Sequence, residues 1–152
     1  MTLRSENSAD TLRACYFGGF TMTYNGREVT GKSKNSDNQF NYLMQLMIHY
    51  GHTGVSKNLL VNTLFAGRDL NNANHAVHSV MYNAKRRLRE FGLPDVNYFL
   101  SKEGIYYWNY EVPVVEDTRE FERLLFEADQ ETDPDEKVNL YQEAIHLYTG
   151  DF

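Results

Sequence analysis

The sequence predicts an α+β fold: a short antiparallel sheet, then three helices, a β-hairpin and a closing helical hairpin. Three observations predict it. Alternating apolar and polar residues on both sides of Asn25-Gly26 mark two strands joined by a tight turn. A helical period then runs from Gln39 to Phe91 in segments punctuated by Gly51, Gly54 and Gly67. Beyond it, two further alternating segments flank Lys102-Glu103-Gly104, and helical periodicity returns after Pro113.

With 152 residues, 41% of them hydrophobic, the chain can bury one good core, or one core and the start of a second. No run approaches the roughly 18 apolar residues of a membrane span. Met1 to Asp10 lacks the basic-then-apolar layout of a signal peptide, so a soluble, cytoplasmic protein without membrane contact is expected. Cys15 is the one cysteine, which excludes an internal disulfide and a cysteine metal cluster, and its pattern places it in a buried strand. The net charge of −6 hides an asymmetry. Residues 1–112 hold 12 Lys+Arg against 9 Asp+Glu, whereas residues 113–152 hold 3 against 12. Opposite charge on two segments predicts two domains with different partners, divided near Pro113.

In chain order, residues 1–11 are expected to be a disordered lead-in. Leu12 to Phe17 and Phe20 to Tyr24 read as strands broken by Gly18-Gly19, with Arg27 to Thr30 returning after the Asn25-Gly26 turn. Gly31 to Asn38 reads as a polar loop. The first helix spans Gln39 to Tyr50 and places Phe40, Leu43, Met44, Met47 and Ile48 on one face. Val55-Ser56 opens the second, with Ser56 as its cap and Leu59, Leu60, Leu64 and Phe65 inward. Gly67-Arg68-Asp69 is a loop. Tyr98 to Ser101 and Ile105 to Tyr110 form a hairpin with a charged tip, its aromatic residues packing on the helices. Sheet, three helices and hairpin together make a winged helix-turn-helix arrangement with an N-terminal antiparallel sheet.

The third helix, residues 72–91, is the longest. Asn71 or Asn72 can cap it and Gly92 stops it, followed by Pro94. Val77, Met81, Ala84 and Leu88 form an apolar stripe, flanked by Ala73, Val80 and Phe91. Opposite lie His75, His78, Ser79, Tyr82, Arg86 and Arg89, with Asn72 and Asn83 at one edge and Lys85 at the other. No carboxylate occurs before Glu90. Hydrogen-bonding groups in the middle and cations toward the C-terminal end suit a groove lined with phosphates. An ordinary solvated amphipathic helix would show the same period.

Val55, Ser56, Leu60, Leu64 and Phe65 match the Val-Ser, Leu and Leu-Phe pattern of a known second helix. On these residues the chain resembles the OmpR/PhoB-type winged-helix domain of SARP-type bacterial transcriptional activators. The resemblance makes the third helix the recognition helix; Lys102 and Tyr106 fit the family's wing, although Ile105 stands where its glycine would be. It continues through Asp117, Phe121, Glu122, Leu124 and Leu125, and through Leu140, Tyr141, Ala144, Ile145, Leu147, Tyr148 and Gly150-Asp151-Phe152. These look like the start of a bacterial transcriptional activator domain, built of tetratricopeptide-like hairpins that stack on neighbours. One hairpin is present, at 117–131 and 135–149, so the chain is expected to be a piece of a longer protein. The resemblance implies double-stranded DNA, RNA polymerase or another regulatory protein, and a second copy of the chain as partners. Some relatives carry an upstream receiver domain, as two-component response regulators do; none is visible in these residues.

Candidate DNA contacts are therefore His75, His78, Ser79, Tyr82 and Asn83 for bases or nearby phosphates. Lys85, Arg86 and Arg89 serve for phosphates, and Lys102 for the flanking backbone or minor groove. Asn83 stands where relatives often have arginine, and asparagine can pair bidentately with adenine. No cofactor, metal or catalytic residue is assigned. His75 and His78, three apart, could share a metal, but no third ligand is evident. Neither a Gly-x-Ser-x-Gly nor a phosphate loop occurs, which argues against an enzyme. The competing expectation is a protein-interaction module whose winged helix no longer reads DNA.

Overall fold

A computed structural model describes residues 11–30, 35–66 and 71–149. The first strands are β1 (Leu12–Cys15), β2 (Thr21–Tyr24) and β3 (Arg27–Glu28), paired antiparallel in the register Leu12↔Tyr24, Ala14↔Met22 and Tyr24↔Arg27. Asn25 and Gly26 both have positive φ, 51° and 79°, as the two-residue hairpin turn requires. β1 stops two residues earlier than its apolar pattern predicts. The reason is tertiary: the Tyr16 and Phe17 N–H groups leave the ladder and donate to the Asp117 carboxylate at 2.8 and 3.1 Å.

The helical segment begins with α1 (Asn35–His49), four residues before the predicted start and inside the stretch read as loop. Residues 31–34 and the loop predicted at 67–69 lie outside the described residues, as do 1–10 and 150–152. The α1 stripe of Phe40, Leu43, Met44, Met47 and Ile48 is buried as its spacing predicts. Val55 and Ser56 are not helical. They form β4 (Val55–Ser56), which pairs with the later hairpin, and Ser56 Oγ then accepts from Leu59 N at 3.1 Å to cap α2 (Lys57–Leu64). Leu59, predicted to face inward, is 41% exposed. The inward ridge is Leu60 and Leu64, four apart, and Leu59 sits about 100° round from Leu60. Next comes α3 (Ala73–Glu90), and all three helices pack on one another.

A second sheet has the order β4-β6-β5, built from β5 (Phe99–Lys102) and β6 (Ile105–Trp108). Its turn is Glu103-Gly104, with φ of 55° and 78°, so Lys102 is the last residue of β5, opposite Ile105, rather than part of the tip. Tyr98, Phe99, Tyr106 and Trp108 are buried and join the helices in a single core. Trp108 Nε1 donates to Val112 O at 3.0 Å, which satisfies the indole inside that core.

Gly54 leads into β4 at φ +100°, and a Cβ there would lie 2.4 Å from Ile105 Cγ2 and 2.9 Å from a Tyr107 ring carbon. Gly54→Ala thus combines backbone strain with overpacking. It is expected to lower stability by about 3 kcal/mol, read from urea melts.

Beyond Pro113, β7 (Val114–Glu116) pairs parallel with β1, giving a four-stranded sheet of order β3-β2-β1-β7. No strand is predicted there, because three residues are too few to show a period. α4 (Asp117–Gln130) and α5 (Pro134–Tyr148) form the helical hairpin within a residue of its predicted bounds. Asp133 caps α5 by accepting from Asp135 N at 3.1 Å, with Pro134 in the first turn. Between the two helices, Leu124, Ala128 and Ala144 are buried. Phe121, Leu125, Leu140 and Leu147 are half-buried, and Ile145 is 60% exposed.

The hairpin docks on the first sheet through Phe17, whose ring lies 5.5 Å from Phe121 and 5.2 Å from Tyr148. Beside it, Arg119 pairs with the buried Glu116 and donates to His49 O at 2.9 Å. Tyr16 donates to Gln45 O at 3.3 Å; burial first, and then the charge of Glu116, push its phenol well above the ordinary value of 10.0. The unfolded chain therefore ionises first, so this contribution is intact below about pH 10 and lost as pH rises beyond it. A fall in the urea midpoint between about pH 9 and 11, shallower in Tyr16→Phe, is the expected result.

Candidate nucleic-acid interface

The α3 helix is terminated at both ends by its own sequence. Asn72 Oδ1 accepts from His75 N at 3.0 Å. At the other end Gly92, at φ 95°, donates to Arg89 O at 3.0 Å while Leu93 N donates to Leu88 O at 3.2 Å. That pair of bonds is the Schellman motif, which needs a residue free to take positive φ. Val77, Val80, Met81, Ala84 and Leu88 are buried, which turns the opposite face outward.

On that outward face His75, His78, Ser79, Asn83 and Arg86 are exposed, and Tyr82 is 65% exposed. Lys85 is half-buried, its stem lying at the edge of the apolar stripe. Arg89 is exposed but committed: its Nε lies 2.8 Å from Asp95 Oδ1. An exposed pair of this kind is weak, yet it offsets part of the charge expected for phosphates. Arg87 points elsewhere. Its Nε donates to Val29 O at 2.9 Å and its guanidinium lies 4.7 Å from the centre of the Phe40 ring, binding α3 to the first sheet and to α1.

The β5–β6 hairpin approaches the N-terminal half of α3. Tyr106 OH lies 3.5 Å from His78 Nε2, and Gly104 O accepts from Lys57 N at 3.2 Å. Lys57 Nζ in turn donates to Asn74 Oδ1. The hairpin turn and the starts of α2 and α3 thus converge at one end of the outward face. Lys102 is exposed on this hairpin. Lys57 and Asn74 are not among the contacts the sequence predicts. Asn74 follows the capping asparagines and looks like part of the cap, while Lys57 follows a serine cap; only the tertiary contact distinguishes them.

Among the described residues no group of three His, Cys, Asp or Glu comes together as a metal site, and no helix is long and apolar enough to cross a membrane. Cys15 is half-buried rather than buried, because alternation along β1 buries Leu12 and Ala14 on one face and turns Arg13 and Cys15 to the other. Burial and the Asp117 charge raise its thiol above the ordinary 9.0, the opposite of what an activated nucleophile needs.

The chain superimposes on a structure of Mycobacterium tuberculosis EmbR in complex with a low affinity phosphopeptide, with a TM-score of 0.60 over 77% of its length and 14% identity. The likeness to EmbR is one of fold. It spans 30% of the EmbR chain, so the region described here corresponds to less than a third of that protein. No protein-family model and no curated protein matches the sequence. At 14% identity the EmbR likeness supports the mixed α+β architecture and carries no side-chain role with it.

Proposed function

We propose that the chain is a sequence-specific, double-stranded DNA-binding transcription regulator of the SARP type. Residues 12–112 act as its winged helix-turn-helix domain, and residues 113–152 begin a tetratricopeptide-like activator domain. α3 enters the major groove, presenting His75, His78, Ser79, Tyr82 and Asn83 to base edges or adjacent phosphates. Lys85 and Arg86, with a smaller share from Arg89, neutralise phosphates, and Lys102 on the wing touches the flanking backbone. The observation that carries this proposal is the outward face of α3: a helix capped at both ends shows solvent a continuous run of hydrogen-bonding and cationic groups, with no acid before Glu90. The fold likeness to EmbR supports the architecture. The acidic hairpin is the protein-contact segment, toward RNA polymerase, another regulator or a second copy. Its exposed Phe126, Ile145 and Tyr148 support that role.

Selection of bound sequences from randomised duplex pools, followed by fluorescence anisotropy at two salt concentrations, tests the proposal. An enriched motif with affinity falling steeply as salt rises is expected. A flat profile without enrichment leaves the protein-interaction module in its place.

A further inference from the structure

We infer that Asn74 is a specificity-determining residue whose amide is oriented by Lys57, and that this pair selects guanine at one position of the bound DNA; the inference rests on the DNA-binding function proposed above. The chemistry of the pair sets the orientation. A lysine ammonium has three donors and no acceptor, so the Asn74 atom that faces Lys57 Nζ must be the carbonyl Oδ1. The amide nitrogen, with its two donors, is then directed away from Lys57. Asn74 is exposed, and it lies four residues before His78 and eight before Tyr82, so the three share one ridge of α3.

An asparagine free to rotate reads adenine with both ends of its amide, accepting from N6 and donating to N7. With its oxygen accepting from the Lys57 ammonium, whose charge opposes the approach of a second donor such as adenine N6, Asn74 offers donors, and the base edge with two adjacent acceptors in the major groove is guanine, through N7 and O6. Lys57 is itself held in place: its backbone N–H donates to Gly104 O in the wing turn at 3.2 Å, and it directly follows the capping Ser56. On the same ridge the Tyr106 hydroxyl braces His78 at 3.5 Å. The wing thereby acts on the N-terminal half of α3 as a positioning element in addition to touching DNA. Lys57 is the positioning residue and Asn74 the reading residue.

Selection on randomised duplexes with four proteins tests this: wild type, Asn74→Ala, Lys57→Met and Lys57→Arg, each first checked for an unchanged melting temperature. Asn74→Ala identifies the position by flattening its preference. That position is expected to favour guanine in the wild type and in Lys57→Arg. In Lys57→Met it moves toward adenine, a change of about 10-fold in the guanine-to-adenine ratio. A lysine that merely contacts phosphate or supports the fold would weaken all sequences alike and leave the ratio unmoved. A Lys57→Met motif identical to the wild-type motif, or an Asn74→Ala motif with no flattened position, overturns the inference while leaving DNA binding intact. A wild type with no motif overturns the DNA-binding proposal itself.

Discussion

On the proposed function, the double substitution Lys85→Glu with Arg86→Glu is expected to lower affinity for duplex DNA by about 100-fold or more at moderate salt, because it replaces two cations assigned to phosphates with anions. It should also flatten the dependence of log affinity on log salt by about 1.8, or roughly 0.9 for each lost phosphate contact. The magnitude follows from where these side chains point. Arg86 is exposed with no carboxylate of the described residues within ion-pair distance, whereas Arg89 already pairs with Asp95 and Arg87 is turned inward to Val29 O and Phe40. Arg89→Gln is accordingly expected to cost less than Arg86→Gln. Arg87→Met should shift the urea midpoint while leaving the salt slope alone. Anisotropy titrations on a selected duplex read all of these, and an affinity for the double variant within twofold of wild type would remove this face of α3 from the interface.

Asp117→Ala is expected to destabilise the protein by about 3 kcal/mol. Its carboxylate is 1% exposed and accepts from three backbone N–H groups: Tyr16 at 2.8 Å, Phe17 at 3.1 Å and Thr118 at 2.8 Å. The last of these is a helix-start contact at α4; the other two hold the end of β1 a hundred residues away in sequence. Alanine leaves all three donors without this acceptor. Asp117→Asn keeps one acceptor oxygen and should fall between. Urea denaturation followed by far-ultraviolet circular dichroism measures both. Because Phe17 also packs on Phe121 and Tyr148, faster proteolysis in the Tyr16 to Phe20 loop should accompany the loss. An Asp117→Ala midpoint equal to wild type would show that the junction is held by the ring contacts alone.

Much of this was legible in the residues themselves. The helical stripes of α1 and α3, the Asn25-Gly26 turn, the Ser56 and Asn72 caps and the Gly92 stop all depend on neighbours within a turn or two, where propensity, period and capping point to the same answer. The misreadings share another cause. Val55 and Ser56 resemble the first turn of a helix until β6 arrives from fifty residues downstream to pair with them. Leu59 is apolar but lies off the ridge that α1 and α3 select, and β7 is too short to announce itself without β1 beside it.

For the interface the division is similar. Sequence alone determined which side of α3 faces outward, since a stripe of Val77, Met81, Ala84 and Leu88 must be buried and a helix has only one opposite side. Only the tertiary structure decided what each cation does once there. It turned Arg87 back onto the first sheet, placed Asp95 against Arg89, and brought Lys57 across from α2 to Asn74. The physical reason is range: hydrophobic period and capping are local properties of a chain, whereas the partner of a long charged side chain is set by whichever element packing delivers to within about 4 Å.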